Sequence, residues 1–471
     1  MVAHAGQALR APAAVAVFDV GKSNLKLLAV DASGRILGQR TTPNRSVDGS
    51  PYLHVDVEAV ERWLLAGLGE LAASHRIGTV VTTAHGSGGV LVADDGPVLP
   101  MVDYEARPPD WLDEAYTSVM PPFPERGSRL LGGAGHLGRQ LFWQSRQWPG
   151  ETARARAILA LPQYWAWRLS GVMASEYTSL AAQSHLWDVP GDRPSSLVER
   201  MGWARLLPPL RPAWERLGPL LPRIAAATGL APDTMVVNGI HDSSANLHRY
   251  ARAGLGDATL LSTGTWIVGL RAGLAPDRLV ERRGMTLNAD IRGRPVGGVL
   301  AMLGREMELI AGGVPAGATE DELGRAVAVG AMALPSFVPF EGMFPGTAGC
   351  GRIVGGEAAP RAVALLYGAL VADACLSLLG DGGTAVLDGG LAAEPRLAGL
   401  LATLRPDLGI LVEPVGGGTA LGAALLADMA APAPELRLRR AAALDLAGLR
   451  GYRDHWHRVL SADTAGEGGG D

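Results

Sequence analysis

The chain has 471 residues, 48% of them hydrophobic, with 42 basic and 47 acidic side chains and a formal net charge of −5. That length allows two or three globular domains, and the mild negative balance leaves no electrostatic footprint for a nucleic-acid partner. Cys350 and Cys375 are the two cysteines, which excludes a disulfide scaffold and a Cys-rich metal centre and suits a reducing compartment.

Residues 1–12 read as a flexible leader. Residues 13–18 are apolar but too short for a signal-peptide core, and Asp19 interrupts them. No uninterrupted apolar run reaches the ~18 residues of a membrane helix, so the expected location is the cytoplasm, with no membrane partner. Residues 15–18 have a buried-strand pattern, 19–24 (Asp-Val-Gly-Lys-Ser-Asn) a turn, 25–30 a second strand, and 31–34 a hairpin turn into a third. Residues 56–75 predict an amphipathic helix, with Val57, Val60, Trp63, Leu64, Leu68 and Leu71 on one face. A strand at 79–83 feeds His85-Gly86-Ser87-Gly88-Gly89, and another hairpin is expected around 94–96. The Pro-rich, aromatic stretch 100–130 reads as a ligand-covering excursion. A helix is expected at 159–169, ending at Ser170-Gly171, and short helices among the prolines of 189–235.

The densest signals lie between 236 and 269. Asn238-Gly239-Ile240-His241-Asp242 ends a short apolar run with a carboxylate at its tip, where Ser243-Ser244-Ala245-Asn246 starts a helix. A strand at 258–261 then meets Ser262-Thr263-Gly264-Thr265 and continues into Trp266-Ile267-Val268. Strand, hydroxyl-bearing glycine turn, strand is a cradle for phosphate, and it repeats the layout of residues 15–30. Two such hairpins far apart suggest two related halves facing a shared ligand, with the boundary near 245–256. Beyond it, 296–311 and 319–334 read as helices, 335–356 as a Gly/Pro loop and 361–379 as a long helix. Strands at 384–387 and 409–412 lead into Asp388-Gly389-Gly390 and Gly416-Gly417-Gly418. A helix at 420–429 and a disordered tail after 461 follow. Strands alternating with helices make the fold α/β.

The chemistry these residues suggest is phosphoryl transfer. Gly21 permits a tight turn, Lys22 and Ser23 reach phosphate oxygens, Asp19 holds Mg²⁺ through water, and Asp242 is a base for an attacking hydroxyl. No full GxGxxG follows a strand with an acidic residue at the right distance, and Gly21-Lys22-Ser23 lacks the earlier glycine of a Walker A loop. ATP would therefore be held by hairpins. His241 reads as structural, and His85 and Asp103-Tyr104-Glu105, each alone, as loop features. The histidines show no metal spacing.

In order, DVGKSNLK, HGSGG, GIHDSSAN, STGTW, DGGLA and GGGTALGAAL resemble the FGGY family of carbohydrate kinases, in its L-rhamnulokinase/L-fuculokinase branch. The likeness runs from about residue 14 to about residue 430. It implies a two-lobed actin/hexokinase-like (ribonuclease H-like) ATPase fold with an interdomain cleft. The sugar-side domain would span 13–250 and the nucleotide-side domain 251–432, with an extension over 433–471. It implies ATP and Mg²⁺ as cofactors, a small sugar as substrate, and is compatible with a homodimer. By the resemblance Asp242 is the general base. Gly21, Lys22, Ser23, Asn24, Gly264, Thr265, Gly389 and Gly390 lie at ATP and its phosphates, and Asp19 at Mg²⁺ through water. His85, Gly86, Asp103, Tyr104 and Asp242 face the sugar. The expected activity is phosphorylation of a ketose such as L-rhamnulose or L-fuculose. The alternatives are a polyol or sugar-acid kinase, or an ATP-binding regulatory module of the same superfold that phosphorylates no sugar. Lys22 stands where many members have Thr or Ala, and the sugar segment is reduced to Val102-Asp103-Tyr104-Glu105, which leaves the substrate open.

Overall fold

The computed structural model describes residues 13–313, 317–340, 342–380, 382–414 and 417–466. The leader expected over 1–12, Gly416 and the end of the tail, 467–471, lie outside these residues.

Two seven-stranded sheets carry the architecture. In the first, Ala14–Val20 pairs antiparallel with Asn24–Val30, which pairs antiparallel with Ile36–Pro43. On its other side Ala14–Val20 runs parallel to Ile77–Ala84, followed by Met235–Val237. The second sheet repeats the pattern. Thr259–Thr263 pairs antiparallel with Ile267–Ala272, then Pro295–Ala301, and on the other side runs parallel to Gly383–Gly389 and Leu408–Val412. The central strands are nearly continuous apolar runs because both faces are covered. The Val57–Ser74 helix lays Val60, Leu64, Leu68 and Leu71 on the first sheet, and the Asp56 carboxylate caps it by accepting from the Ala59 amide at 2.9 Å. The Pro360–Leu379 helix fills the second lobe. It is long and apolar enough to cross a membrane by composition, but 89% of that span is buried in the protein.

Several elements differ from the sequence reading. Residues expected to open a helix at 296 form the Pro295–Ala301 strand, and the helix starts at Leu303. Met332–Leu334, placed in a helix by the sequence, is a strand. The helix expected from 159 starts at Leu161, after an Ala157–Ala160 strand that pairs with Gly89–Val92. The turn at 94–96 closes a short hairpin, as expected: Val92 bridges Pro97 antiparallel, the Ala93 amide donates to the Gly96 carbonyl at 2.8 Å and the Val98 amide to the Leu91 carbonyl at 3.0 Å. The tail expected to be disordered after 461 is helical as far as Gly466, as the end of a Leu449–Gly466 helix whose buried Trp456 donates to the Ala333 carbonyl at 2.7 Å. The large apolar ring outweighs the polar composition of that segment.

The Asp242–Tyr250 helix and the turn Ala251–Leu255 join the lobes. This helix crosses Gly418–Ala424 so closely that a Cβ on Gly422 would sit 1.9 Å from the Ala245 carbonyl oxygen. The lobes also meet where Leu287 and Ala289 enter the core of the 100–210 region and the Leu287 amide donates to the Gly127 carbonyl at 2.6 Å.

Candidate active site

Strand register assembles the first half of the site. Asp19 lies opposite Thr83, Val20 opposite Ala84, and Ala84 opposite His241. Asp19, His85 and Asp242 therefore leave three neighbouring strands at their carboxyl ends, where open α/β sheets bind ligands. Gly239, with φ +91°, makes the bend that delivers Asp242. A Cβ there would lie 2.5 Å from the Thr82 carbonyl oxygen, so no larger residue fits.

Asp242 is the first residue of its helix and keeps 28% of its side chain exposed. Its Oδ1 accepts from the Ser243 amide at 2.5 Å and the Ser243 hydroxyl at 3.1 Å, and lies 3.1 Å from His241 Nε2. Burial lowers the pKa of His241 despite the Asp242 charge, so the ring is neutral at neutral pH. One ring proton then suffices: Nε2–H donates to Asp242, and Nδ1 accepts from the Ser244 hydroxyl at 3.1 Å. His241, read as structural in the sequence, thus orients the carboxylate. His85 is held neutral in the same way, mainly by burial, with the Asp242 charge opposing.

Asp19 is buried. Burial pushes its pKa up to about 7, Lys26 opposes the shift and the nearby Asp242 charge adds to it. Two carboxyls with too little positive charge between them fit a bound cation. Among the described residues no group of three or more His, Cys, Asp or Glu side chains could hold a metal ion. The fit is therefore to a magnesium-like ion that takes one carboxylate and fills its remaining positions with water and substrate phosphate.

Among the residues expected to face the sugar, the His85 and Tyr104 rings meet edge-to-face at 5.3 Å. Gly86 packs against Ala182 and Gln183. Lys22 lies here as well. The sequence reading aimed it at phosphate, but its ammonium pairs with Asp103 at 2.5 Å and Glu105 at 3.2 Å and sits 5.1 Å above the Tyr104 ring. Burial works against the Asp103 charge, but hydrogen bonds from Lys22, Ser46 and the Glu105 amide hold its carboxyl below the usual value. That demand for donors explains why the lysine turns away from the hairpin tip. Ser23 and Asn24 remain exposed at the tip, and the Asn44 side chain braces it by donating to the Gly21 carbonyl at 2.8 Å.

Gly264, Thr265, Gly389 and Gly390, expected at the nucleotide, gather on the second lobe. Gly264 and Thr265 expose the turn, whose Gly264 amide donates to the Trp266 carbonyl at 2.8 Å. Thr263 lies opposite Gly389, which has φ +96°, and a Cβ there would sit 1.9 Å from the Thr263 carbonyl oxygen. The Thr263 hydroxyl ties the corner together by donating to the Asp388 carbonyl at 2.7 Å and accepting from the Leu391 amide at 3.1 Å. Gly390 follows, exposed. The two groups face each other. The Tyr104 hydroxyl, its pKa raised chiefly by burial and further by Glu105, Asp103 and Asp242, lies near the Trp266 side chain.

Three site residues escaped the sequence reading. Trp266 stood in a quoted motif as a strand residue, yet it bridges Tyr104 and Phe340, whose ring lies 5.1 Å away. Asp388 was read as part of a glycine turn. Gln183 had no local signal: it takes φ +53° beside Gly86 and donates across the lobes to Asn288 Oδ1 at 3.2 Å.

Comparison with known proteins agrees with this arrangement. The FGGY family of carbohydrate kinases, N-terminal domain, matches residues 14–247, and carbohydrate kinase FGGY, C-terminal domain, matches residues 255–435. A carbohydrate kinase from Novosphingobium aromaticivorans is similar over 96% of this chain and 99% of its own, at 34% identity and a TM-score of 0.85. A xylulose kinase from Lactobacillus acidophilus, at 13% identity and a TM-score of 0.80 over 96% of this chain and 98% of its own, shares the fold. L-fuculokinase from Escherichia coli (strain K12) is 26% identical over 275 residues, 54% of this chain and 55% of that protein, so the chain spans about half the length of that curated relative. The chain belongs to the FGGY family of carbohydrate kinases.

Proposed function

We propose that this protein transfers the terminal phosphoryl group of ATP to a hydroxyl of a small sugar, a ketose such as L-fuculose or L-rhamnulose. The observation that carries the reading is the convergence of Asp19 and Asp242 at the ends of two strands that both pair with Ile77–Ala84, with the exposed Gly264–Thr265 turn on the other lobe. Asp242, partly exposed and held by Ser243 and His241, takes the proton of the acceptor hydroxyl as that oxygen attacks phosphorus. The exposed backbone at Thr265, in a turn whose Gly264 amide is already bonded to Trp266, and the bare backbone at Gly389–Gly390 hold the nucleotide. Asp19 would hold Mg²⁺, which supplies charge neutralisation on the phosphates. His85, Tyr104 and Asp103 orient the sugar, and Lys22 acts through Asp103 and Glu105 on that side. The Tyr104–Trp266 contact across the lobes supports a cleft that shields the reaction from water.

The L-fuculokinase likeness and the His241-Asp242-Ser243-Ser244-Ala245 segment favour a six-carbon deoxyketose. A screen of ketoses, polyols and aldonates for ADP release, with the phosphorylated product identified by mass, tests the reading. A ketose accepted well above the other classes supports it. ATP turnover indifferent to every acceptor, with no phosphosugar formed, would overturn it in favour of a nucleotide-driven regulatory module.

A further inference from the structure

One buried polar cluster has no part in the mechanism above. With 3.6 residues per turn, Asp242, Asn246 and Tyr250 lie along one stripe of the Asp242–Tyr250 helix. Asp242 heads the stripe in the cleft, and the other two run beneath the second lobe. The Tyr250 hydroxyl donates to Asp388 Oδ2 at 2.8 Å, and Tyr250, Asn246 and Asp388 are each no more than 2% exposed. Gly418 touches both polar partners. A Cβ on it would sit 2.2 Å from Asn246 Oδ1 and 2.3 Å from Asp388 Oδ2, so the amide and the carboxylate are neighbours across a glycine.

Asn246 Oδ1 is buried with no hydrogen-bond partner. The two ends of an amide are assigned by their hydrogen bonds, and turning this one over presents its NH₂ to the Asp388 carboxylate. A buried carboxylate needs donors: the Tyr250 hydroxyl is one, and the turned Asn246 amide would be a second from the same helix. The other side of Asp388 belongs to the nucleotide corner. It precedes Gly389 on the Gly383–Gly389 strand, and its carbonyl accepts from the Thr263 hydroxyl. Two hydrogen bonds thus link Thr263, next to the Gly264–Thr265 turn, through Asp388 to Tyr250, at the far end of the helix that Asp242 opens. On the same helix Arg249 pairs with Glu413 at 3.0 Å, both buried, which anchors the helix to the second lobe beside this contact.

We propose that Asp388, held by Tyr250 and Asn246, is a positioning residue that couples occupancy of the nucleotide corner to the placement of Asp242. The roles of Asp242 and of that corner rest on the functional reading above. An apolar contact would hold the lobes together in many arrangements. A buried carboxylate with two fixed donors has one, and that one sets the helix register.

The test uses the full-length protein, ADP as probe, and two variants. In the wild type, ADP alone slows amide exchange over residues 242–250. Tyr250→Phe removes one hydroxyl and keeps the ring. It is expected to lose that ADP-dependent protection and to lower kcat roughly 10-fold, with KM for ATP and acceptor within about 2-fold of wild type. Asp388→Asn retains an oxygen that accepts from Tyr250 and should keep most of the protection. Tyr250→Phe with wild-type protection and kcat would overturn the proposal. So would a loss of kcat that comes only with raised KM for both substrates and a lowered Tm, because that marks a packing role. The exchange readout needs no acceptor, so it stands apart from the sugar assignment: a wild type that binds ADP but phosphorylates nothing contradicts the functional reading and not the link.

Discussion

At the tip of the hairpin formed by Ala14–Val20 and Asn24–Val30 stand Asp19, Lys22 and two exposed polar residues. At the tip formed by Thr259–Thr263 and Ile267–Ala272 stand Gly264 and Thr265, with no charged side chain. Both hairpins sit in sheets whose five central strands share order and pairing sense, so the scaffold around them is duplicated and the tips differ chiefly in side chains. The first tip concentrates negative charge: Asp19 is pushed toward neutrality by burial and then by Asp242. The second offers backbone. The proposed phosphoryl transfer would use both, a carboxylate surface for cation and proton and a neutral cradle for phosphate.

The division predicts which substitutions harm which half. The largest effect is expected from Asp242→Asn: kcat falls roughly 10²-fold or more while the Kd values for ADP and acceptor hold, as read by steady-state kinetics and calorimetry. Gly389→Ala puts a methyl group against the Thr263 carbonyl at a φ that alanine disfavours. It is expected to raise KM for ATP by roughly 10-fold or more with little change for the acceptor, which separates the two halves kinetically.

Asp19→Asn is expected to do opposite things to stability and activity. The folded carboxyl, at about 7, binds its proton more tightly than the unfolded one near 3.8. Ionising it therefore destabilises the ligand-free protein progressively as pH rises from 3.8 through about 7. The variant should melt higher than wild type at about pH 8, by something on the order of 1–4 kcal/mol, and the difference should vanish at acid pH. Phosphoryl transfer should meanwhile be lost. Thermal melts across that range without nucleotide or metal check the sign. The smallest effect belongs to Lys22→Met: KM for the acceptor rises by about 3- to 10-fold and KM for ATP is unchanged, because the ammonium serves Asp103 and Glu105. A rise in KM for ATP instead would return Lys22 to the phosphates.

These contrasts also mark what could be read from the chain itself. Both hairpins and Asp242 were legible because local signals specify them: apolar runs broken by glycine and hydroxyl turns, and a carboxylate at a strand end. The partner of Lys22 was not, because Asp103 lies 81 residues away and only the folded chain brings it near. Residues 296–311 misled for a different reason. Val296, Val299, Leu300, Leu303, Met307 and Ile310 keep helical spacing, yet Gly297 and Gly298 are squeezed within a sheet. Cβ atoms there would lie 2.4 Å from Leu274 and 2.5 Å from Thr286. The glycines record close packing between neighbours, which periodicity alone does not reveal. Leu449, Tyr452 and Trp456 form a helical stripe in the extension, to which the sequence reading assigned no element, and their helix carries on into the polar tail.

A structure of the complex with ADP, Mg²⁺ and the accepted sugar tests the central claim most directly. The account predicts a carboxylate oxygen of Asp242 within about 3 Å of the hydroxyl that becomes phosphorylated, with that hydroxyl between Asp242 and the Gly264–Thr265 turn. A sugar bound with that hydroxyl turned away from Asp242, or a nucleotide whose phosphates lie away from that turn, would contradict it.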